Sequence, residues 1–153
     1  MKLAPSLLAA YQSSHYRVHL PSGDCELQIG ARSATLDACL RQQNCQHACF
    51  ITAHNPRSHQ LPATLNRSRN AALVQVLLAR RLPFFAGVGY SADPDADWPA
   101  ETSFLVLHTP VSLAHALAVS CGQNAVLIVQ AERPVTLLLT AITDAPQTKS
   151  SRQ

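Results

Sequence analysis

The sequence predicts one α/β (α+β) domain with a mixed β-sheet of about five to seven strands and three main helices. Short apolar segments of strand length alternate with segments whose apolar residues recur every three or four positions. The chain has 153 residues, of which 47% are hydrophobic, and this length can bury one core without disulfides or metal. We expect the order β-β-α-β-α-β-β-α-β-β within residues 8–142, followed by a disordered polar tail, residues 143–153.

Turn and capping residues set the boundaries of these elements. Pro21-Ser22-Gly23-Asp24 separates two alternating segments, which predicts a hairpin. Ser33 is a suitable N-cap of one helix. Thr109 is expected to cap another helix, which Pro110 opens and Gly122 closes. The expected helices are 34–43, 64–81 and 111–121, with a short one at 5–12. The expected strands are 15–20, 25–29, 47–53, 83–89, 103–108, 125–130 and 135–140.

The helix expected over 64–81 carries amides on its apolar face. Asn66, Asn70, Leu73 and Leu77 follow each other at spacings of four, three and four, so they share one side of the helix. The leucines predict core contact. Amides on the same face predict either bonds to nearby backbone or the wall of a polar crevice.

The directions of the strands predict one polar rim. If 47–53 and 83–89 are joined by a right-handed parallel crossover, both end at the same edge, and 103–108 and 125–130 begin there. Ligand crevices of open α/β sheets commonly lie at such strand ends. The candidate residues at this edge are Thr52, Asn55, Arg57, Asn66, Arg69, Asn70, Glu101, Ser103 and Gln123.

We expect this rim to bind a small anionic or nucleotide-like metabolite. A helix N-terminus favours an anion, and Arg57 and Arg69 can bind phosphate or carboxylate bidentately. Glu101 is the candidate catalytic acid or base of a hydrolase or transferase. Structural alternatives stay open: Asn55 suits a turn, the helix amides suit a cap network, and Glu101 can pair with either arginine.

Five segments of the chain resemble the bacterial family DUF3293, a domain of unknown function. The resemblance covers roughly residues 8–130. The family usually has Trp at the position of His54 and a second Glu before Ser103, so His54 receives no catalytic role. The resemblance supports the location of the site and implies no reaction. The segments are AYQSSHYRV (10–18), FITAHNPRS (50–58), NRSRN (66–70), WPAETSFLV (98–106) and GQNAVL (122–127).

The sequence predicts neither a metal nor a cofactor. Cys39, Cys45, His47 and Cys49 lie close together in the chain, but structural zinc usually uses Cys-x₂₋₄-Cys knuckles in tight turns. Free buried thiols in a reducing cytoplasm are the simpler interpretation. The sequence also lacks a P-loop, a G-x-G-x-x-G loop and a G-x-S-x-G elbow.

Charge and hydropathy restrict the classes of partner that the sequence favours. A scattered net charge of +3 does not favour nucleic acid, although weak RNA binding through the helix arginines is a third alternative. The other rival to an enzyme is a non-enzymatic interaction module whose polar cluster is structural. No apolar run reaches the ~20 residues of a membrane span, and residues 1–12 lack a clean signal cleavage site, which favours a cytoplasmic protein. Only 14% of residues are charged, and a homodimer is one way to cover the apolar surface.

Overall fold

A computed structural model describes residues 4–140 and confirms the α/β (α+β) fold class. The predicted tail, residues 143–153, and the end of the predicted domain at residue 142 lie outside the described residues. The helices are α1 (Pro5–Ser13), α2 (Ala34–Gln42), α3 (Ala63–Ala79) and α4 (Val111–Ser120). The strands are β1 (His15–Leu20), β2 (Gly23–Leu27), β3 (His47–Ile51), β4 (Phe84–Tyr90), β5 (Glu101–Leu107), β6 (Ala125–Gln130) and β7 (Thr136–Leu139).

The seven strands form one sheet in the order β2-β1-β4-β5-β3-β6-β7, and each neighbouring pair is antiparallel. The connections through α3, from β3 to β4, and through α4, from β5 to β6, both join parallel strands, but one other strand lies between the members of each pair. β5 lies between β3 and β4, and β3 lies between β5 and β6. All neighbouring strands of the sheet are therefore antiparallel, whereas the sequence predicted a mixed sheet. The reason is that each pair of parallel strands is separated by a strand from another part of the chain.

The sheet curls until its two edges meet. An isolated parallel bridge joins Ile29, just after β2, to Val135, just before β7. Backbone bonds flank it, from Gly30 N to the Val135 carbonyl at 2.7 Å and from Val135 N to the Ala31 carbonyl at 3.0 Å. This bridge gives edge-strand groups a partner that an open sheet leaves unpaired.

The curl separates two apolar cores, because alternate residues of a strand face opposite sides. Along β3, Ala48 and Phe50 join the cluster that contains α2, on the concave face. Cys49 and Ile51 join the cluster that contains α3 and α4, on the convex face. Since α2 fills only part of the concave face, the remaining part is left for the site described below.

Three capping expectations can be compared with the structure. The Ser33 side chain accepts a bond from Leu36 N at 3.2 Å, as expected of an N-cap. Gly122 has a φ of 69° after α4, and Gln123 N bonds to the Ala118 carbonyl at 2.9 Å, which completes a Schellman motif. Thr109 does not cap α4: Pro110 occupies the N-cap position, and the Thr109 hydroxyl instead donates backward to the Val106 carbonyl at 3.0 Å.

All five cysteines are free and buried, as the sequence predicted. None of the helices in residues 4–140 is both long and apolar enough to cross a membrane.

Candidate functional site

The predicted rim borders a cavity of about 390 Å³ between the concave face of the sheet and α1. It lies where β3 and β4 end and where β5 and β6 begin. Five of the nine candidate residues line it: Thr52, Asn55, Glu101, Ser103 and Gln123. Its aromatic lining comes from Tyr11, Tyr16, Phe50, Tyr90 and Trp98. Within the described residues, Glu101 is the one charged side chain in this lining.

Glu101 is half-buried and held through one of its two carboxyl oxygens. Its Oε2 accepts a bond from Asn55 Nδ2 at 2.6 Å and another from Trp98 Nε1 at 3.2 Å. No group within residues 4–140 bonds to Oε1, and no arginine in that range forms an ion pair with Glu101. Burial raises the pKa of the Glu101 carboxyl, although the bonds from Asn55 and Trp98 oppose the rise. The carboxyl is thus oriented by two neutral donors and keeps one oxygen for another partner.

Asn55 is held by hydrogen bonds at its backbone N and at both polar atoms of its side chain. It adopts the left-handed conformation with a φ of 49°, which asparagine tolerates better than most residues. Its Oδ1 accepts bonds from Leu61 N at 2.8 Å and from Asn66 Nδ2 at 2.9 Å. Its backbone N donates to Asn66 Oδ1 at 2.9 Å. The side chain that orients Glu101 is therefore itself held by α3.

The buried face of α3 consists of Asn66, Asn70, Leu73 and Leu77, as the spacing predicted. Asn70 Oδ1 accepts from Ala53 N at 2.9 Å, and Asn70 Nδ2 donates to the Thr102 carbonyl at 2.8 Å. These bonds tie the end of β3 to the start of β5. Asn66 and Asn70 are not among the residues that line the cavity, and both bond to backbone groups of other segments.

Arg69 also bonds to backbone rather than facing the cavity. Its Nε donates to the Ala53 carbonyl and its Nη2 to the Cys121 carbonyl, both at 2.6 Å. Cys121 is the C-cap of α4, where a cation interacts favourably with the helix dipole. The guanidinium thus joins three elements: the end of β3, α3 and the end of α4.

The remaining candidates differ in position. Gln123 Nε2 donates to the His54 carbonyl at 2.9 Å, and Thr52 Oγ1 donates to the Thr102 carbonyl at 2.7 Å. Ser103 Oγ donates to the carbonyl of Glu101 at 3.0 Å. The Arg57 side chain is exposed and outside the lining. The backbone N of Arg57 donates a hydrogen bond to the Gly122 carbonyl at 2.6 Å and so joins this loop to the end of α4.

Sequence reasoning did not identify the aromatic residues of the lining. Tyr16 donates its hydroxyl to the Tyr11 carbonyl at 2.6 Å and so ties β1 to α1. Burial raises the pKa of both tyrosines, and the charge of Glu101 raises it further, so both remain hydroxyl donors at neutral pH. Two of the segments that carried the family resemblance contain Tyr11, Tyr16 and Trp98, and this was the available signal.

No group of three or more histidine, cysteine or acidic side chains suited to a metal ion occurs in residues 4–140. The cysteines and His47 considered for zinc therefore do not form such a group.

Residues 51–126 match the model of a family described as "Protein of unknown function (DUF3293)". The matched range includes the amide network, Glu101 and Gln123. No curated protein and no solved structure matches the chain.

Proposed function

Since this chain belongs to the DUF3293 family, whose description names no activity, we propose a function from its site alone: the protein binds a small organic molecule in the concave cavity, and Glu101 is the polar anchor. The observation that carries the proposal is the carboxyl oxygen Oε1, which lies in a largely apolar lining while Oε2 is held by Asn55 and Trp98. A volume of about 390 Å³ lies within the range of small-molecule sites, which combine an apolar wall with a few oriented polar groups.

The composition of the lining argues against the anionic ligand expected from the sequence. The two arginines that suggested an anion are placed elsewhere: Arg57 is exposed and Arg69 bonds to two carbonyls. A carboxylate repels an anion, and no cationic side chain among the described residues lines the cavity to offset this repulsion. The aromatic residues suit the ring of a nucleotide-like molecule better than they suit its phosphate.

If the protein is an enzyme, Glu101 is the group that we propose as its acid or base. A pKa raised by burial brings a carboxyl closer to the range in which it can both accept and donate a proton. Ser103 is a poor candidate for an activated nucleophile, because its hydroxyl donates to the Glu101 carbonyl and not to a base. Ligand binding is therefore the more general statement of the proposal.

The strongest alternative is an interaction module in which the polar cluster is structural. The bonds of Asn66, Arg69 and Asn70 to backbone groups favour it for those three residues. They do not account for the oriented carboxyl in the cavity, which is why we prefer a ligand. Weak RNA binding has less support: Arg67, Arg80 and Arg81 are exposed and could reach a phosphate backbone, but a net charge of +3 is small for a nucleic-acid surface.

A cavity-filling variant tests the proposal. A Cβ at Gly89 would meet only ordinary contacts, 3.6 Å from Tyr16 Cδ1 and 3.9 Å from Ser103 Oγ. Gly89→Val therefore has room at its Cβ, and it adds two methyl groups at a position that lines the cavity. Ala86→Val adds a side chain on the same strand at an exposed position outside the lining and is the matched control. In a thermal-shift screen of small metabolites, we expect hits that stabilise the wild type and Ala86→Val but not Gly89→Val. Hits that stabilise Gly89→Val equally, or a screen without hits, would count against the proposal.

A further inference from the structure

We infer that the ligand of this cavity is an organic cation: a primary or secondary ammonium group carried on an apolar body. This inference rests on the proposed function and adds the chemical class of the molecule. It follows from the charge of the lining, from the helix end that borders it and from the neighbours of Glu101.

The charge of the lining is wholly negative. Glu101 is its one charged residue within the described part of the chain, and Arg57 and Arg69 contribute no side chain to it. A carboxylate in partly desolvated surroundings attracts a cation more strongly than one in bulk water does, because the effective dielectric constant is lower. An ammonium group also supplies several N–H donors, and Glu101 Oε1 is the acceptor that no group within residues 4–140 uses.

The last turn of α1 adds to the same preference. Ala10, Tyr11, Ser13 and Ser14, at the C-terminal end of this helix, line the cavity. A helix C-terminus carries partial negative charge on its last carbonyls. The last turn of α1 contains no basic side chain, so no opposite charge in the turn offsets this partial negative charge. The hydroxyls that bond to the Ala10 and Tyr11 carbonyls, from Ser14 and Tyr16, are neutral donors.

The remaining lining suits the body of such a molecule. Four residues with tyrosine or tryptophan rings (Tyr11, Tyr16, Tyr90 and Trp98) surround the cavity together with aliphatic side chains. Aromatic rings favour ammonium groups through the cation–π interaction and favour apolar bodies through burial. Trp98 lies directly beside the carboxyl, since its indole N–H donates to Glu101 Oε2 at 3.2 Å.

Three probes of similar size separate the charge of the ligand from its apolar body: 2-phenylethylammonium, 2-phenylethanol and 3-phenylpropanoate. We expect calorimetry at about pH 8, above the usual range of carboxyl pKa values, to show 2-phenylethylammonium binding at least tenfold more tightly than the alcohol, which is about 1.4 kcal/mol. The carboxylate should bind most weakly. Glu101→Gln should remove most of the advantage of the ammonium probe.

Glu132→Gln is the control variant, because this acid is exposed and outside the cavity lining. It should keep the preference of the wild type. Equal affinity for the ammonium probe and the alcohol, or an advantage that survives in Glu101→Gln, would overturn the cationic class while leaving a small-molecule site in place. Tighter binding of 3-phenylpropanoate, or no binding by any of the three probes at millimolar concentrations, would overturn it as well. Failure of the proposed cavity site is detected separately, by compounds that stabilise Gly89→Val as much as the wild type in the thermal-shift screen.

Discussion

At the scale of single residues, Glu101 shows how a side chain becomes available to a ligand. Its neighbours are neutral donors, Asn55 and Trp98, and both bond to the same oxygen. A carboxyl paired with arginine would be held at both oxygens and kept ionised. Here burial instead raises the pKa, so the ionisation of Glu101 opposes folding as the pH rises.

The pH dependence of stability measures this opposition. Between the pKa of an unfolded glutamate, about 4.3, and the higher pKa of folded Glu101, the folded protein binds more protons than the unfolded chain. The free energy of unfolding of the wild type should therefore fall relative to that of Glu101→Gln as the pH rises through this window, and should level off above it. Urea denaturation of both proteins between pH 4 and pH 8 measures the difference. A difference that stays constant, or that moves the other way, would refute the raised pKa.

Asn66 tests the amide network. Asn66→Ala leaves Asn55 N without its buried acceptor and Asn55 Oδ1 without one of its donors. We expect a loss of about 1–3 kcal/mol in the free energy of unfolding. Arg67→Ala, at the exposed neighbouring position, should change stability little. If Asn66→Ala unfolds as the wild type does, the network does not hold the loop. If it loses only stability and binds ligand normally, Asn66 acts only in the structure of the loop.

At the scale of elements, α3 is the helix that assembles the site. Its buried face was predictable from spacing alone, because a helix fixes which residues share a side. The bonding partners of Asn66, Arg69 and Asn70 were not predictable. A sequence shows that a side chain can donate hydrogen bonds, whereas the nearest acceptor depends on which strands and helix ends pack beside it. For this reason the presence of Arg69 in the sequence suggested an anionic ligand. In the structure its guanidinium bonds instead to two backbone carbonyls.

The bridge made by Arg69 predicts that lysine cannot replace it. A guanidinium presents several donors in a rigid fork, whereas a single ammonium group is a compact charge. Lysine should therefore not reproduce both bonds of Arg69, to the Ala53 and Cys121 carbonyls. We expect Arg69→Lys to destabilise the protein by about 1–2 kcal/mol in thermal unfolding. Arg80→Lys, at the exposed C-cap of the same helix, is the control and should be close to neutral. Equal stability of the two variants would show that the bridge contributes nothing.

The first helix covers one side of the cavity and is weakly attached. None of its residues is buried, and few buried contacts imply a low free energy of local opening. In hydrogen exchange we expect the amides of α1 to exchange much faster than those of the central strands β3 and β5. A bound ligand should slow exchange in α1 and leave the central strands unchanged. Protection of α1 equal to that of β3 without ligand would contradict a loosely held cover.

At the scale of the whole molecule, the direction of the strands was easier to predict than their order. The strand-helix-strand segments indicated which strand ends share an edge of the sheet. This was sufficient to predict that five residues lie close together, and all five line one cavity: Thr52, Asn55, Glu101, Ser103 and Gln123. The interposed strands and the bridge from Ile29 to Val135 depend on pairings between distant segments, which local patterns do not encode. The packing of α1 on the sheet is also a tertiary contact, and for this reason the sequence did not predict that aromatic residues line the cavity.

The central claim is that a small molecule binds beside Glu101, and the indole N–H of Trp98 can report on it directly. Trp98 is the one tryptophan of the chain, so its Nε1–H gives a single resonance, and this group donates to Glu101 Oε2. We expect that resonance to shift and saturate during NMR titration with the compounds that stabilise the wild type most. The shift should be lost in Gly89→Val. An indole resonance that stays in place while those compounds bind would contradict the account.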